Sequence, residues 1–127
     1  MKNESGKLIL VVDDHEGNRE LLVIYLGSCG YSVIEASNGI EAVKIATSEL
    51  PQLIIMDLSM PVLDGFEAAR LIREVLVISE VPMVAYTAHE SRTYRDQAMK
   101  VGFNEFLTKP VDFTELDSVI DRFLKAA

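Results

Sequence analysis

Leu53-Ile54-Ile55-Met56-Asp57 decides the fold: four consecutive apolar residues, two of them β-branched, run straight into a carboxylate. So short and continuous a run suits a strand buried on both faces, because helices need longer periodic segments and half-buried strands alternate. Four more runs rich in apolar and β-branched residues accompany it, at Leu8 to Val12, Tyr31 to Glu35, Pro82 to Tyr86 and Glu105 to Leu107. Each is followed by a turn signal and then by a segment with helical spacing. Asn38-Gly-Ile-Glu41 and Asp112-Phe-Thr-Glu115 read as helix starts, since a side-chain oxygen with Glu three residues on can satisfy free N–H groups in both directions. Gly30 and Gly102 read as helix ends. The last helix carries Leu116, Val119, Ile120 and Phe123 as one apolar stripe, whereas the segment from Ser91 to Val101 has only Tyr94, Ala98 and Val101.

Strand and helix thus alternate five times, which implies a parallel sheet with right-handed crossovers and helices on both faces, an α/β doubly wound sandwich. Runs one, three and four belong at its centre, and the shorter, more polar run five suits an edge. No repeat, low-complexity tract or linker divides the 127 residues, so one domain over 1–127 is expected, with its core at about 8–124. A chain of this size buries roughly 65–70% of its unfolded surface and needs no disulfide or structural metal. The single Cys29 allows no bridge within the chain, which points to a reducing, cytoplasmic setting. Twelve basic and 20 acidic residues give a net charge of -8, which repels nucleic acid and anionic headgroups, so direct DNA binding is not expected. No membrane role is expected either. The apolar runs fall far short of the roughly 20 residues that cross a bilayer, and Met1 to Lys7 lacks the apolar segment of a secretory signal.

What composition leaves unexplained is why acidic residues abut the most hydrophobic runs. In open parallel sheets the binding crevice lies beyond the carboxyl ends of the strands. After the first run come Asp13 and Asp14, after the third Asp57, after the fourth Thr87 and after the fifth Lys109; the second ends without such a group. An Asp at a strand end often caps the next helix. Two adjacent carboxylates exceed what a cap needs, however, and Lys109 before Pro110 caps nothing. Two carboxylates about 4 Å apart repel by about 4 kcal/mol at an effective dielectric of 20, so the group invites a cation or a proton. Oxygen donors without His or Cys, with room for water and a phosphate, favour Mg²⁺ over Ca²⁺. Magnesium in turn suits phosphoryl transfer. Asp57, alone at the end of a central strand, reads as a nucleophile that forms an aspartyl phosphate, with Asp13 and Asp14 holding the metal. Lys109 would counter the phosphoryl charge and the Thr87 hydroxyl would donate to a phosphoryl oxygen.

These residues resemble the receiver domains of two-component response regulators over Leu8 to Leu124. The resemblance rests on Val-Val-Asp13-Asp14, on Met56-Asp57-Leu-Ser-Met60-Pro61-Val-Leu-Asp64-Gly65, on Tyr86-Thr87-Ala88 and on Lys109-Pro110. It implies a flavodoxin-like (βα)5 fold with a five-stranded parallel sheet in the order 2-1-3-4-5. It also implies the backbone carbonyl of Ser59 as a metal ligand beside Asp13, Asp14 and Asp57, a cis Lys109-Pro110 bond, and a switch in which Thr87 moves inward and the Phe106 ring follows. Many relatives carry tyrosine at that position; a ring without the hydroxyl acts as a steric readout. The implied function is a phosphoacceptor switch in which Asp57 takes a phosphoryl group from a phosphohistidine. The donor would be a sensor histidine kinase or a histidine phosphotransfer domain. The altered face of the fourth helix, fifth strand and fifth helix would then engage a downstream protein effector. Catalysis would be limited to the protein's own phosphorylation and dephosphorylation.

Other candidates carry less. Ser59 and His89 stand two residues beyond Asp57 and Thr87, where the family tunes phosphoryl hydrolysis, although a loop histidine is more often simply solvated. His15 reads as first turn of the first helix, Met60, Met83 and Met99 as core filler, and Arg92, Arg95 and Lys100 as a small basic face. An aspartate-nucleophile phosphatase would need Asp-x-Asp after a strand, but His15 and Ser59 occupy the second Asp position. Neither G-x-x-x-x-G-K-[ST] nor G-x-G-x-x-G occurs, which disfavours nucleotide binding. A degenerate receiver that only binds partners is disfavoured because all five functional positions are filled. With no effector domain after Ala127, output by docking to another protein is expected, unless the chain is part of a hybrid kinase or a longer regulator.

Overall fold

The computed structural model describes residues 6–89 and 91–125; residues 1–5 of the polar start lie outside them. Five strands, β1 (Leu8–Val12), β2 (Ser32–Ala36), β3 (Leu53–Asp57), β4 (Met83–Thr87) and β5 (Glu105–Thr108), form one parallel sheet in the order β2-β1-β3-β4-β5. Between and after them run α1 (Glu16–Ser28), α2 (Gly39–Glu49), α3 (Gly65–Glu74), α4 (Arg92–Val101) and α5 (Phe113–Leu124). Fold class and strand order are those expected. The continuous apolar runs β3 and β4 are buried throughout, as is β1 after Leu8, while β2 and β5 form the edges.

Side chains alternate along each strand, so the sheet feeds two cores. Leu10, Val12, Ile54, Met56, Met83, Ala85 and Phe106 pack with α2, α3 and α4. Ile9, Val11, Leu53, Ile55, Val84, Tyr86 and Leu107 pack with α1 and α5. Each fully buried Leu or Ile contributes about 1.5–3 kcal/mol. None of the helices among the described residues is long and apolar enough to cross a membrane.

Strand limits shift from those expected, for identifiable reasons. β2 starts at Ser32 because the Tyr31 N–H is drawn back to the Leu26 carbonyl (3.2 Å) where α1 closes at Gly30. β4 starts at Met83 because Pro82 has no N–H for the ladder. At their far ends β3 and β4 take in Asp57 and Thr87 themselves, so these two groups are held by the sheet and not by loops. Asn38 caps α2 from its expected place, accepting from the Glu41 N–H at 2.9 Å, and Glu41 accepts in return from the Ser37 N–H at 2.8 Å. Asp112 caps α5, accepting from Thr114 and Glu115. α4 closes at Gly102 as expected. Two expectations are corrected. His15 is the cap of α1 and not part of its first turn, its Nδ1 accepting from the Asn18 N–H at 3.2 Å. Met99 is not core: α4 buries only Ala98 fully, and Met99, one residue round the helix, is 47% exposed.

Candidate functional site

The carboxyl ends of β1, β3 and β5 bring their polar residues together. Carboxylate oxygens of Asp13, Asp14 and Asp57 lie within 4.8 Å of one another, with Asp13 and Asp57 buried and Asp14 exposed. Lys109 Nζ donates to Asp57 Oδ2 at 3.0 Å and to Asp13 Oδ2 at 3.2 Å. The other oxygen of each buried carboxylate serves the local backbone: Asp13 Oδ1 accepts from the His15 N–H (2.9 Å) and Asp57 Oδ1 from the Ser59 N–H (3.0 Å). Capping-type bonds are therefore present, but they use only half of each carboxylate and leave Oδ2 turned to the lysine. The Lys109-Pro110 bond is cis, as the resemblance implies.

Burial raises the Asp57 pKa above the usual carboxylate value; the Lys109 ammonium and Ser59 N–H only partly oppose it, and the like charge of Asp13 adds to it. Lys109 also titrates above its usual value. Burial alone would lower it, but the hydrogen bond and charge of Asp57 and the charge of Asp13 outweigh that. Burial is the main reason Asp57 holds its proton more tightly, with the Asp13 charge a small addition, whereas for Lys109 the two buried carboxylates outweigh burial. The excess of three carboxylates over one ammonium, presented by oxygen donors alone, fits a hard divalent cation, and Asp13, Asp14 and Asp57 are the side chains that could hold it.

Among the described residues Thr87 makes no hydrogen bond to these side chains, and Phe106 packs in the second core. Asp57 pairs in register with Tyr86, which places both on the face of Ile55 and Val84; Thr87, the next residue, turns to the face of Ala85. Thr87 is fully buried and its Oγ1 accepts from the His89 N–H at 3.2 Å. Phe106 lies in the core on that second face, with the Arg95 guanidinium 4.9 Å from its ring centroid. His89 is exposed and its ring tilts against Tyr94, with centroids 4.9 Å apart.

Three residues at the site went unassigned from sequence. The Tyr86 hydroxyl donates to Asp13 Oδ2, and the Lys109 ammonium sits 4.6 Å from the Tyr86 ring centroid. Burial and the Asp13 carboxylate push its phenol far above the usual value, so it is a donor at neutral pH. A polar-tipped ring directly after the apolar run Met83-Val84-Ala85 is the signal that marks it. Arg19 of α1 donates to the Asp13 backbone carbonyl at 2.8 Å and pairs with Glu35 of β2 at 2.9 Å, fixing the end of β1. At Gly65 an added Cβ would stand 2.3 Å from the Asp57 carbonyl oxygen, so only glycine lets α3 begin this close to β3.

Comparison with known proteins gives one family. The model of the response regulator receiver domain matches residues 9–121. An uncharacterized 14.6 kDa protein from the sodA1 3' region of Leptolyngbya boryana is 40% identical over 118 residues, which span 93% of this chain and 90% of that protein. The chain spans about half or less of several longer curated relatives. Among solved structures it is similar to the receiver domain of sensor histidine kinase PA1611 from Pseudomonas aeruginosa PAO1, which has a magnesium ion in its active site cleft (TM-score 0.88, 35% identity, 95% of this chain and 99% of that one). It is also similar to a chain from the Saccharomyces cerevisiae co-crystal of the phosphotransfer protein Ypd1 and the receiver domain of its downstream response regulator Ssk1 (TM-score 0.86, 35% identity, 92% of this chain and 88% of that one).

Proposed function

The chain belongs to the response regulator receiver domain family, and from that premise we propose that Asp57 is the phosphoacceptor of a two-component signalling switch. Receivers are signalling switches and not enzymes in the usual sense, and the chemistry proposed here is confined to the protein's own phosphorylation and dephosphorylation. The observation that carries the reading is Asp57 itself: a buried carboxylate at the end of a central strand, with one oxygen turned to Lys109 at 3.0 Å and two further carboxylates alongside.

Asp57 Oδ2 attacks the phosphorus of a phosphohistidine on a sensor histidine kinase or phosphotransfer domain. The P–N bond breaks, its electron pair stays on the imidazole, and the new O–P bond makes an acyl phosphate. Lys109 is placed to meet the charge that the transferred oxygens bring to Asp57. Asp13, Asp14 and Asp57, with the Ser59 backbone carbonyl, would hold Mg²⁺, which when bound neutralises phosphoryl oxygen charge. The Thr87 hydroxyl would donate to a phosphoryl oxygen, and Thr87 with Phe106 forms the switch, whose rearrangement alters the α4-β5-α5 face offered to a downstream protein. The net charge of -8 supports a protein effector over DNA. One receiver domain over 1–127, working in the cytoplasm, completes the reading.

The test is intact-mass measurement after incubation with Mg²⁺ and a small acyl phosphate. A single phosphoryl adduct on the parent protein that is lost in Asp57→Asn is expected. No adduct on the parent, or an equal one on the variant, overturns the assignment.

A further inference from the structure

Tyr86 is 1% exposed, and the hydroxyl distinguishes it from what packing alone would require. Before it in β4 stand Met83, Val84 and Ala85, and a phenylalanine would fill the same space with no polar atom to satisfy. A buried hydroxyl without a partner costs about 1–3 kcal/mol. The partner here is no backbone carbonyl but the inward oxygen of Asp13, the oxygen that Lys109 also approaches. We propose that Tyr86 is a positioning residue of the acidic cluster, its hydroxyl setting the Asp13 carboxylate and its ring face setting Lys109.

Asp13 is held at both oxygens by three donors: the His15 N–H on Oδ1, and Lys109 with the Tyr86 hydroxyl on Oδ2. The lysine is shared, because its ammonium also serves Asp57 at 3.0 Å. The Tyr86 hydroxyl is not shared in this way, so it fixes Asp13 independently of what happens at Asp57. Without it, Oδ2 retains only the shared ammonium. Asp13 is then held by the His15 N–H and the shared ammonium alone, so its Oδ2 shifts whenever Lys109 moves towards Asp57. Partners that orient metal-holding carboxylates commonly change metal affinity by about 10–100-fold when removed. The inference rests on reading the cluster as a Mg²⁺ site, and its test separates the two.

Mg²⁺ is titrated calorimetrically into the parent protein, Tyr86→Phe and Tyr31→Phe. Tyr31 lines the same core away from the carboxylates and serves as control. About tenfold weaker binding is expected for Tyr86→Phe, with parent-like affinity for Tyr31→Phe. Since the chain has four tyrosines and no tryptophan, its near-ultraviolet absorption is tyrosine-dominated. A protein carrying Tyr25→Phe, Tyr31→Phe and Tyr94→Phe together retains Tyr86 alone, and Mg²⁺ should still perturb its spectrum as Asp13 takes up the cation. Equal affinity of parent and Tyr86→Phe, or no Mg²⁺-induced change in the spectrum of Tyr86, overturns the proposal. A parent protein that binds no Mg²⁺ overturns the reading of the cluster, and this inference with it.

Discussion

Two groups of residues towards the carboxyl edge of the sheet, one on each of its faces, are held in opposite ways. On the α1 and α5 side, Asp13, Asp57, Tyr86 and Lys109 are bound to one another by charge-assisted hydrogen bonds. On the α4 side, Thr87 bonds to one loop N–H, and Phe106 is packed in an apolar core under a single guanidinium. A site that stabilises developing charge works best when its dipoles and charges are already in place. A readout has to move, and a ring held by apolar contacts can change rotamer without breaking a buried ion pair. In this molecule one residue step, from Tyr86 to Thr87, separates the two requirements.

The largest effect that would sharpen this contrast comes from removing the shared cation. Lys109→Met leaves the fully buried Asp13 and the nearly buried Asp57 facing each other, and should cost about 3 kcal/mol in metal-free urea unfolding. Saturating Mg²⁺ should restore part of that loss. A near-neutral variant would break the picture of a charge-bound side. Next, Mg²⁺ at 100 times its dissociation constant should stabilise the parent protein by about 2.7 kcal/mol, read as a shift of the melting temperature. Thr87→Val should retain that shift while Asp57→Asn reduces it; loss of the shift in Thr87→Val would merge the two sides.

A smaller effect depends on pH. The Asp57 pKa is higher in the folded protein than the unfolded value of 3.8, so between these two values the native state binds more protons than the unfolded chain. Its contribution therefore makes stability fall as pH rises through that window. Asp57→Asn should accordingly be more stable than the parent at neutral pH without metal, with the gap closing on acidification towards pH 4 in urea midpoints. A gap that widens instead would reverse the sign assigned to burial. Lys109 has the same sign at higher pH: its stabilising part is complete below its unfolded value of 10.5 and is lost as pH rises through the higher folded one. The smallest effect belongs to the α4 side. Arg95→Ala removes one exposed cation-π contact and should cost about 0.5 kcal/mol, leaving Mg²⁺ affinity unchanged in calorimetry. Altered affinity would show that the sides are mechanically joined.

The sequence by itself determined the alternation of strands and helices, the central place of β1, β3 and β4, and the residue types standing at the strand ends. Those features are local: continuous apolar runs, caps such as Asn38 and Asp112, and glycines that close helices can be recognised without knowing what they touch. Motif residues Asp13, Asp14, Asp57 and Lys109 were legible for the same reason, as polar groups set against apolar runs. Which of the strand-end groups meet was decided only by the tertiary structure. A strand's side chains change face at every residue, so an end point uncertain by one residue leaves the face undetermined. Tyr86, taken from sequence as part of a motif, joins the carboxylates because its register partner is Asp57. Thr87, the next residue, alternates to the side of Ala85 while standing at the same carboxyl end of the sheet as Asp57. Contacts such as Tyr86 to Asp13 or Arg19 to Glu35 join residues 73 and 16 positions apart, and only the register of the parallel sheet and the packing of α1 on it bring them within hydrogen-bond reach.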